Sequence, residues 1–202
     1  MAGVPEGYVD AGERWPRVLA PRPAYVLVAE ARGRVNFMSA SWVMPFSEEP
    51  PRIVAALDKE AYTPELIIES GVFTVNVFTV DGVDFVYAAG TTSGREVDKL
   101  RLLGAEVIRD TVTGAPRLVK PRPVGVVEAR VYRALSDLAD DVYLIVADVA
   151  AAYADAEFYN PRYGWELRKA RILLHSTGRA FTTNSGIYIP KRAPRARSDL
   201  NV

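Results

Sequence analysis

AYVLVAE (Ala24–Glu30), ARGR (Ala31–Arg34) and VNFMSASW (Val35–Trp42) follow one another without interruption. The outer two are short runs rich in apolar residues, the composition of β-strands, and the Gly-containing link between them suits a hairpin. Runs of the same kind recur at Arg52–Leu57 (RIVAAL), Val72–Phe78 (VFTVNVF), Val124–Tyr132 (VGVVEARVY), Val142–Tyr153 (VYLIVADVAAAY) and Ile172–His175 (ILLH). Val and Ile make up 34 of the 202 residues, and Gly, Pro and charged residues bound the runs. The chain therefore reads as mainly β, a closed barrel or a sandwich.

Two short helices interrupt this pattern. In Thr63–Gly71 (TPELIIESG), Thr63 stands at the N-cap, Pro64 at the first helical position, and Gly71 as the stop. In Ser93–Gly104 (SGREVDKLRLLG), Ser93 and Glu96 have the spacing of a capping box, Val97, Leu100 and Leu103 form an apolar stripe, and Gly104 ends the helix.

Composition narrows the chemistry. Lys+Arg and Asp+Glu each number 25, so no net field favours a nucleic-acid backbone. With no Cys and one His, a disulfide framework, a thiolate nucleophile, a thiolate zinc site and a multi-His metal site are all absent. The N-terminus lacks an apolar signal segment, and no stretch approaches the roughly 18 apolar residues of a spanning helix, so a soluble cytoplasmic protein is expected. Twenty Arg, five Lys, five Asn and no Gln match trends in proteins of thermophiles, although a GC-rich genome also favours Arg over Lys. What remains is a borrowed cofactor, or carboxylates, hydroxyls and cations.

The two helix starts expose unpaired N–H groups that can hold a phosphate, although ordinary capping accounts for Thr63 and Ser93 equally well. Gly94 lets an anion approach the backbone, and Arg95 supplies a charged fork. Along the second strand, Asn36, Met38, Ala40 and Trp42 alternate with Phe37, Ser39, Ser41 and Val43. Its small residues would admit a flat ligand bordered by Trp42; a hydroxyl face turned to solvent is the plainer alternative. His175 has no partner recognisable from spacing.

Taken together, these segments resemble the flavin reductase-like family of FMN-binding split-barrel proteins. The resemblance runs through Arg22-Pro23, Asn36-x5-Trp42, Ser47-x2-Pro50-Pro51, Thr63-x4-Ile68 with Gly71-x-Phe73-x2-Asn76, Ser93-Gly94-Arg95-x2-Asp98-Lys99, and Leu174-His175-x2-Gly178-Arg179-x-Phe181. It implies a six-stranded antiparallel split β-barrel with a few short helices, spanning residues 17–185. Residues 1–16 are then an N-terminal extension and 186–202 a basic tail. It implies a homodimer binding FMN, FAD less often. Hydride would pass from NADH or NADPH to the flavin, and electrons onward to free flavin, ferric complexes or a protein acceptor. A carrier without its own nicotinamide site, or a flavin-free barrel, are the alternatives.

On this resemblance Thr63, Ser93, Gly94 and Arg95 would hold the phosphate, while Ser39, Ala40, Ser41 and Trp42 would line the isoalloxazine. Asn36 and Lys99 would make polar contacts to the flavin, Lys99 tuning its reduced form, and Phe181 would take the aromatic position near the C-terminal end. No protein acid or base and no metal is implied. The chain departs from the family pattern at Leu66 and Ile67, where many members have an Asn before Ile, and at Val149–Tyr153, which lacks a His found in some relatives.

Overall fold

The computed structural model describes residues 4–186; the expected tail from residue 187 onward lies outside the described residues. The strands are β1 (Arg22–Pro23), β2 (Tyr25–Ala31), β3 (Arg34–Ala40), β4 (Val43–Glu48), β5 (Pro51–Asp58), β6 (Val72–Val77), β7 (Glu106–Ile108), β8 (Arg117–Lys120), β9 (Gly125–Leu135), β10 (Val142–Ala154), β11 (Tyr159–Asn160), β12 (Gly164–Trp165), β13 (Leu174–Thr177) and β14 (Ala180–Thr182). The α-helices are α1 (Tyr62–Ser70), α2 (Val83–Thr91) and α3 (Lys99–Leu103), and a 3-10 helix covers Gly12–Leu19. That 3-10 helix crosses residue 16, where the sequence placed the end of an extension. Among the described residues no helix is long and apolar enough to cross a membrane.

Seven strands form one antiparallel sheet in the order β3-β2-β6-β9-β10-β5-β4. Its two edge strands, β3 and β4, are consecutive in the chain and joined by only Ser41 and Trp42. Three Cα steps span at most about 11 Å, so the sheet must roll until its edges nearly meet at that corner. The product is a split barrel. Two register shifts in the β9–β10 hairpin, at Val146/Ala147 and Val149/Ala151, add local twist to this long pair.

The barrel has seven strands rather than the expected six, because the Met44-Pro45-Phe46 stretch, unread as a strand, pairs with β5 as β4. Pro45 is tolerated there because β4 lies at an edge. The Ile172–His175 run contributes instead to a small sheet, β1-β13-β14.

Strand alternation produces two cores. Leu27, Ala29 and Ala31 of β2 join Phe73, Ala129 and Ile145 inside the barrel, where Leu66 and Ile67 of α1 also pack. Val26 and Val28 face the other way and meet Phe37, Val86, Ala89 and Leu118 beneath α2. β2 is thus buried on both faces, which explains why its run is apolar at nearly every position.

Both expected helices differ at their starts. α1 begins two residues early, with Ala61 as N-cap and no side-chain cap bond, because Thr63 is turned inward. The second reaches only from Lys99 to Leu103. Ser93 Oγ accepts from Arg95 N at 3.3 Å, two residues on rather than three, so the capping box does not close. Asp98 caps instead, accepting from Arg101 N at 3.2 Å. Both glycine stops form as read, with Gly71 at φ 71° and Gly104 at φ 60°.

Candidate functional site

The first cleft, about 290 Å³, runs beside β3 between the start of α1, the end of α2 and the loop before α3. Asn36 is 3% exposed, and its Nδ2 donates to Thr63 Oγ1 at 3.0 Å. This bond explains why Thr63 is not a cap: its hydroxyl anchors a strand residue. Gly94 lies against the same amide so closely that a Cβ there would fall 2.1 Å from Asn36 Oδ1. Only glycine fits without displacement.

Lys99 closes the inner end of this cleft. Its ammonium donates to the carbonyl oxygens of Phe37 at 2.5 Å and Ala89 at 2.6 Å, and burial lowers its pKa to about 8. An ammonium has three donors, so one N–H is left over beyond these two bonds. Asp58 and Glu60 line the same cleft, which makes it bipolar rather than uniformly positive.

A second cleft of about 240 Å³ continues past Gly90 and Thr91, which line both. Ser39, Ala40 and Ser41 line it together with His175 and Phe181. The His175 and Phe181 rings lie 5.1 Å apart, and His175 Nε2 is bonded to the Gly178 carbonyl at 3.1 Å. A carbonyl oxygen only accepts, so Nε2 is the donor in that bond. At Gly90 a Cβ would fall 2.0 Å from Ser39 Oγ, so the end of α2 is seated against β3 beside both clefts.

The structure thus divides the sequence-derived residues. Asn36, Thr63, Ser93, Gly94 and Lys99 line the first cleft, and Ser39, Ala40, Ser41 and Phe181 the second. Trp42 faces a third, mainly apolar groove of about 400 Å³ with Trp15, Leu19, Arg22 and Met44, and Ser41 also lines it. Arg95 lines none of them. Its guanidinium is bonded to both oxygens of Glu65, at 3.2 and 2.5 Å, so the fork expected for phosphate is occupied by a carboxylate.

Met38, Gly90 and Thr91 escaped sequence reading. The Gly90–Gly94 stretch (GTTSG) carried a signal of small residues, but its placement depended on α2, which had not been read. Leu66 and Ile67, the departure from the family pattern, are core residues here and line neither of the two clefts along β3.

The fold defines a split-barrel protein, with two adjoining clefts along one edge strand and a buried cation lining the first. The chain belongs to the flavin reductase-like family, whose model, the flavin reductase like domain, matches residues 18–183. It is 33% identical over 172 residues to YddH of Escherichia coli (strain K12), covering 83% of this chain and 89% of that protein. Over 110 residues it is 31% identical to the ferric-chelate reductase (NAD(P)H) of Archaeoglobus fulgidus, covering 54% of this chain and 63% of that one. Flavoredoxin from Methanosarcina acetivorans has the same fold, with a TM-score of 0.75 at 26% identity and 98% of both chains covered.

The glycine contacts give a testable ordering. Gly94→Ala pushes a methyl into an amide already held by Thr63, and lowers stability by about 1–3 kcal/mol. Gly90→Ala meets a hydroxyl that can rotate away, so its cost is the smaller. Urea melts of the two variants check the order.

Proposed function

We propose that the protein is an FMN-dependent oxidoreductase that accepts hydride from NADH or NADPH and passes electrons to free flavin, a ferric complex or a protein acceptor. The observation that carries this reading is the first cleft, where Gly94 leaves no Cβ in the way and Lys99 presents a spare N–H with no carboxylate bonded to it among the described residues. Those features fit a ligand with an anionic end and polar edges. Bound FMN would supply the hydride-accepting centre, which this chain's own side chains lack.

The residues have distinct parts in this reading. Thr63, Ser93 and Gly94 supply hydroxyl and backbone contacts for the phosphate end. Asn36, fixed by Thr63, orients a polar edge of the ligand. Lys99 places positive charge where reduction would add negative charge. The second cleft, with Ser39, Ala40, Ser41 and Phe181, receives the ring and whatever exchanges electrons with it.

A homodimer belongs to the same reading, seated on the third groove. Trp15, Leu19, Trp42 and Met44 are large apolar side chains exposed along it, and Arg22 Nε is buried there without a hydrogen-bond partner among the described residues. A second copy would cover the former and supply an acceptor to the latter.

Three measurements test this. Anaerobic mixing of the flavin-loaded protein with NADH and with NADPH should bleach the absorbance near 450 nm on a catalytic timescale. Failure with both, in a protein that binds FMN, indicates an electron carrier of the flavoredoxin kind, and failure to bind FMN removes the flavin reading. Lys99 is protonated below pH 8, so FMN affinity should be greatest there and fall severalfold as pH rises from 7 to 9.5. In Lys99→Met the affinity should be lower at pH 7 and flat over that interval; an unchanged pH profile excludes Lys99 from the site. Light scattering should give a mass near twice the 22.2 kDa of the chain, and a monomer refutes the dimer.

A further inference from the structure

Tyr62 opens α1 and has two guanidinium groups near its ring, Arg34 at 5.0 Å and Arg95 at 5.2 Å from the centroid. Sequence alone favours Arg95 as an anion ligand, because it follows Ser93-Gly94. The geometry reverses that preference. Arg95 is a bidentate partner of Glu65, so its charge is neutralised and its fork is filled.

Arg34 is differently placed. Its Nη2 donates to the carbonyl of Gly94 at 3.3 Å, and among the described residues it has no carboxylate partner. Gly94 and Tyr62, the two groups it touches, both line the first cleft. A guanidinium has five N–H donors, and one weak bond to a carbonyl leaves most of the fork available. Asp58 and Glu60 repel an anion from their part of the same cleft, which leaves the Gly94 end for the charged terminus of a ligand.

We propose that Arg34 is the guanidinium that receives the phosphate of the flavin nucleotide, with Arg95 held back by Glu65. Arg34 sits two residues before Asn36 on β3, so one strand would set both the phosphate and a polar edge of the same ligand. The Gly94 carbonyl and the Tyr62 ring hold the guanidinium against two residues of the cleft lining, although Arg34 does not itself line the cleft. This rests on the FMN reading above and names the residue that would make the protein prefer FMN to riboflavin.

The test compares dissociation constants for FMN and riboflavin, which differ only in the phosphate, by quenching of flavin fluorescence. Wild-type protein should bind FMN more tightly than riboflavin. Arg34→Gln should weaken FMN by about tenfold or more, the effect of a charge-assisted bond, and leave riboflavin unchanged. Arg34→Lys, which keeps the charge but not the fork, should lie between. Arg32→Gln removes a nearby exposed charge that is paired with Glu69, and should move neither constant. Thermal melts confirm that the variants fold. If Arg34→Gln keeps the wild-type preference, or if Arg95→Gln abolishes it instead, the assignment is wrong. If wild-type protein binds neither flavin, the FMN reading falls and the assignment with it.

Discussion

Two residues, Ser41 and Trp42, connect the two edges of a seven-stranded sheet, and that short connection governs the rest of the molecule. A sheet whose edges are tied so closely cannot stay open, so it rolls and encloses a core of alternating residues from every strand. It does not zip shut either, because β3 and β4 do not pair. The split leaves β3 with one unpaired side, and an unpaired strand edge is a liability unless something covers it.

What covers it builds the site. α2 packs on the outer face of β2 and β3 through Val86 and Ala89, and ends at Gly90-Thr91, where glycine permits contact with Ser39. Ala89 lies in the last turn of α2, where carbonyls lack helical partners. Phe37 lies on the edge strand. Lys99 bonds to both carbonyls at once, so one ammonium satisfies a helix end and a strand edge, and also complements the negative end of the α2 dipole. The placement of α3 follows, since Lys99 is its first residue and Asp98 its cap.

Much of this was legible, and the failures have physical causes. The apolar runs located six strands of the barrel because burial on one or both faces leaves a compositional mark. β4 was missed because an edge strand carrying a proline and exposed Met44 and Phe46 has no such mark. α2 was missed because VDFVYAAGT is apolar on several sides and shows no clear stripe. Thr63 and Ser93 were each read as caps from local spacing, but hydroxyls bond to whatever is nearest in space. Thr63 found Asn36, 27 residues away, and Ser93 bonded two residues on. Arg95 was misread for the same reason: nothing in sequence announces that Glu65, 30 residues earlier, will occupy it.

The same distinction bears on charge. A net charge of zero conceals differences among the cations: Arg32, Arg52, Arg95, Arg109, Arg117, Lys120 and Arg122 all form ion pairs. Against that background the cations bonded to carbonyls rather than carboxylates stand apart; Lys99 lines the first cleft, and Arg34 bonds to Gly94, which also lines it. Carbonyl dipoles hold a cation in place without cancelling its charge. Burial meanwhile disfavours the charged form of Lys99, whose pKa falls to about 8. Near neutral pH the ammonium therefore persists at a cost that an anionic ligand would relieve, and it is held in place by the same bonds that cover the barrel's open edge.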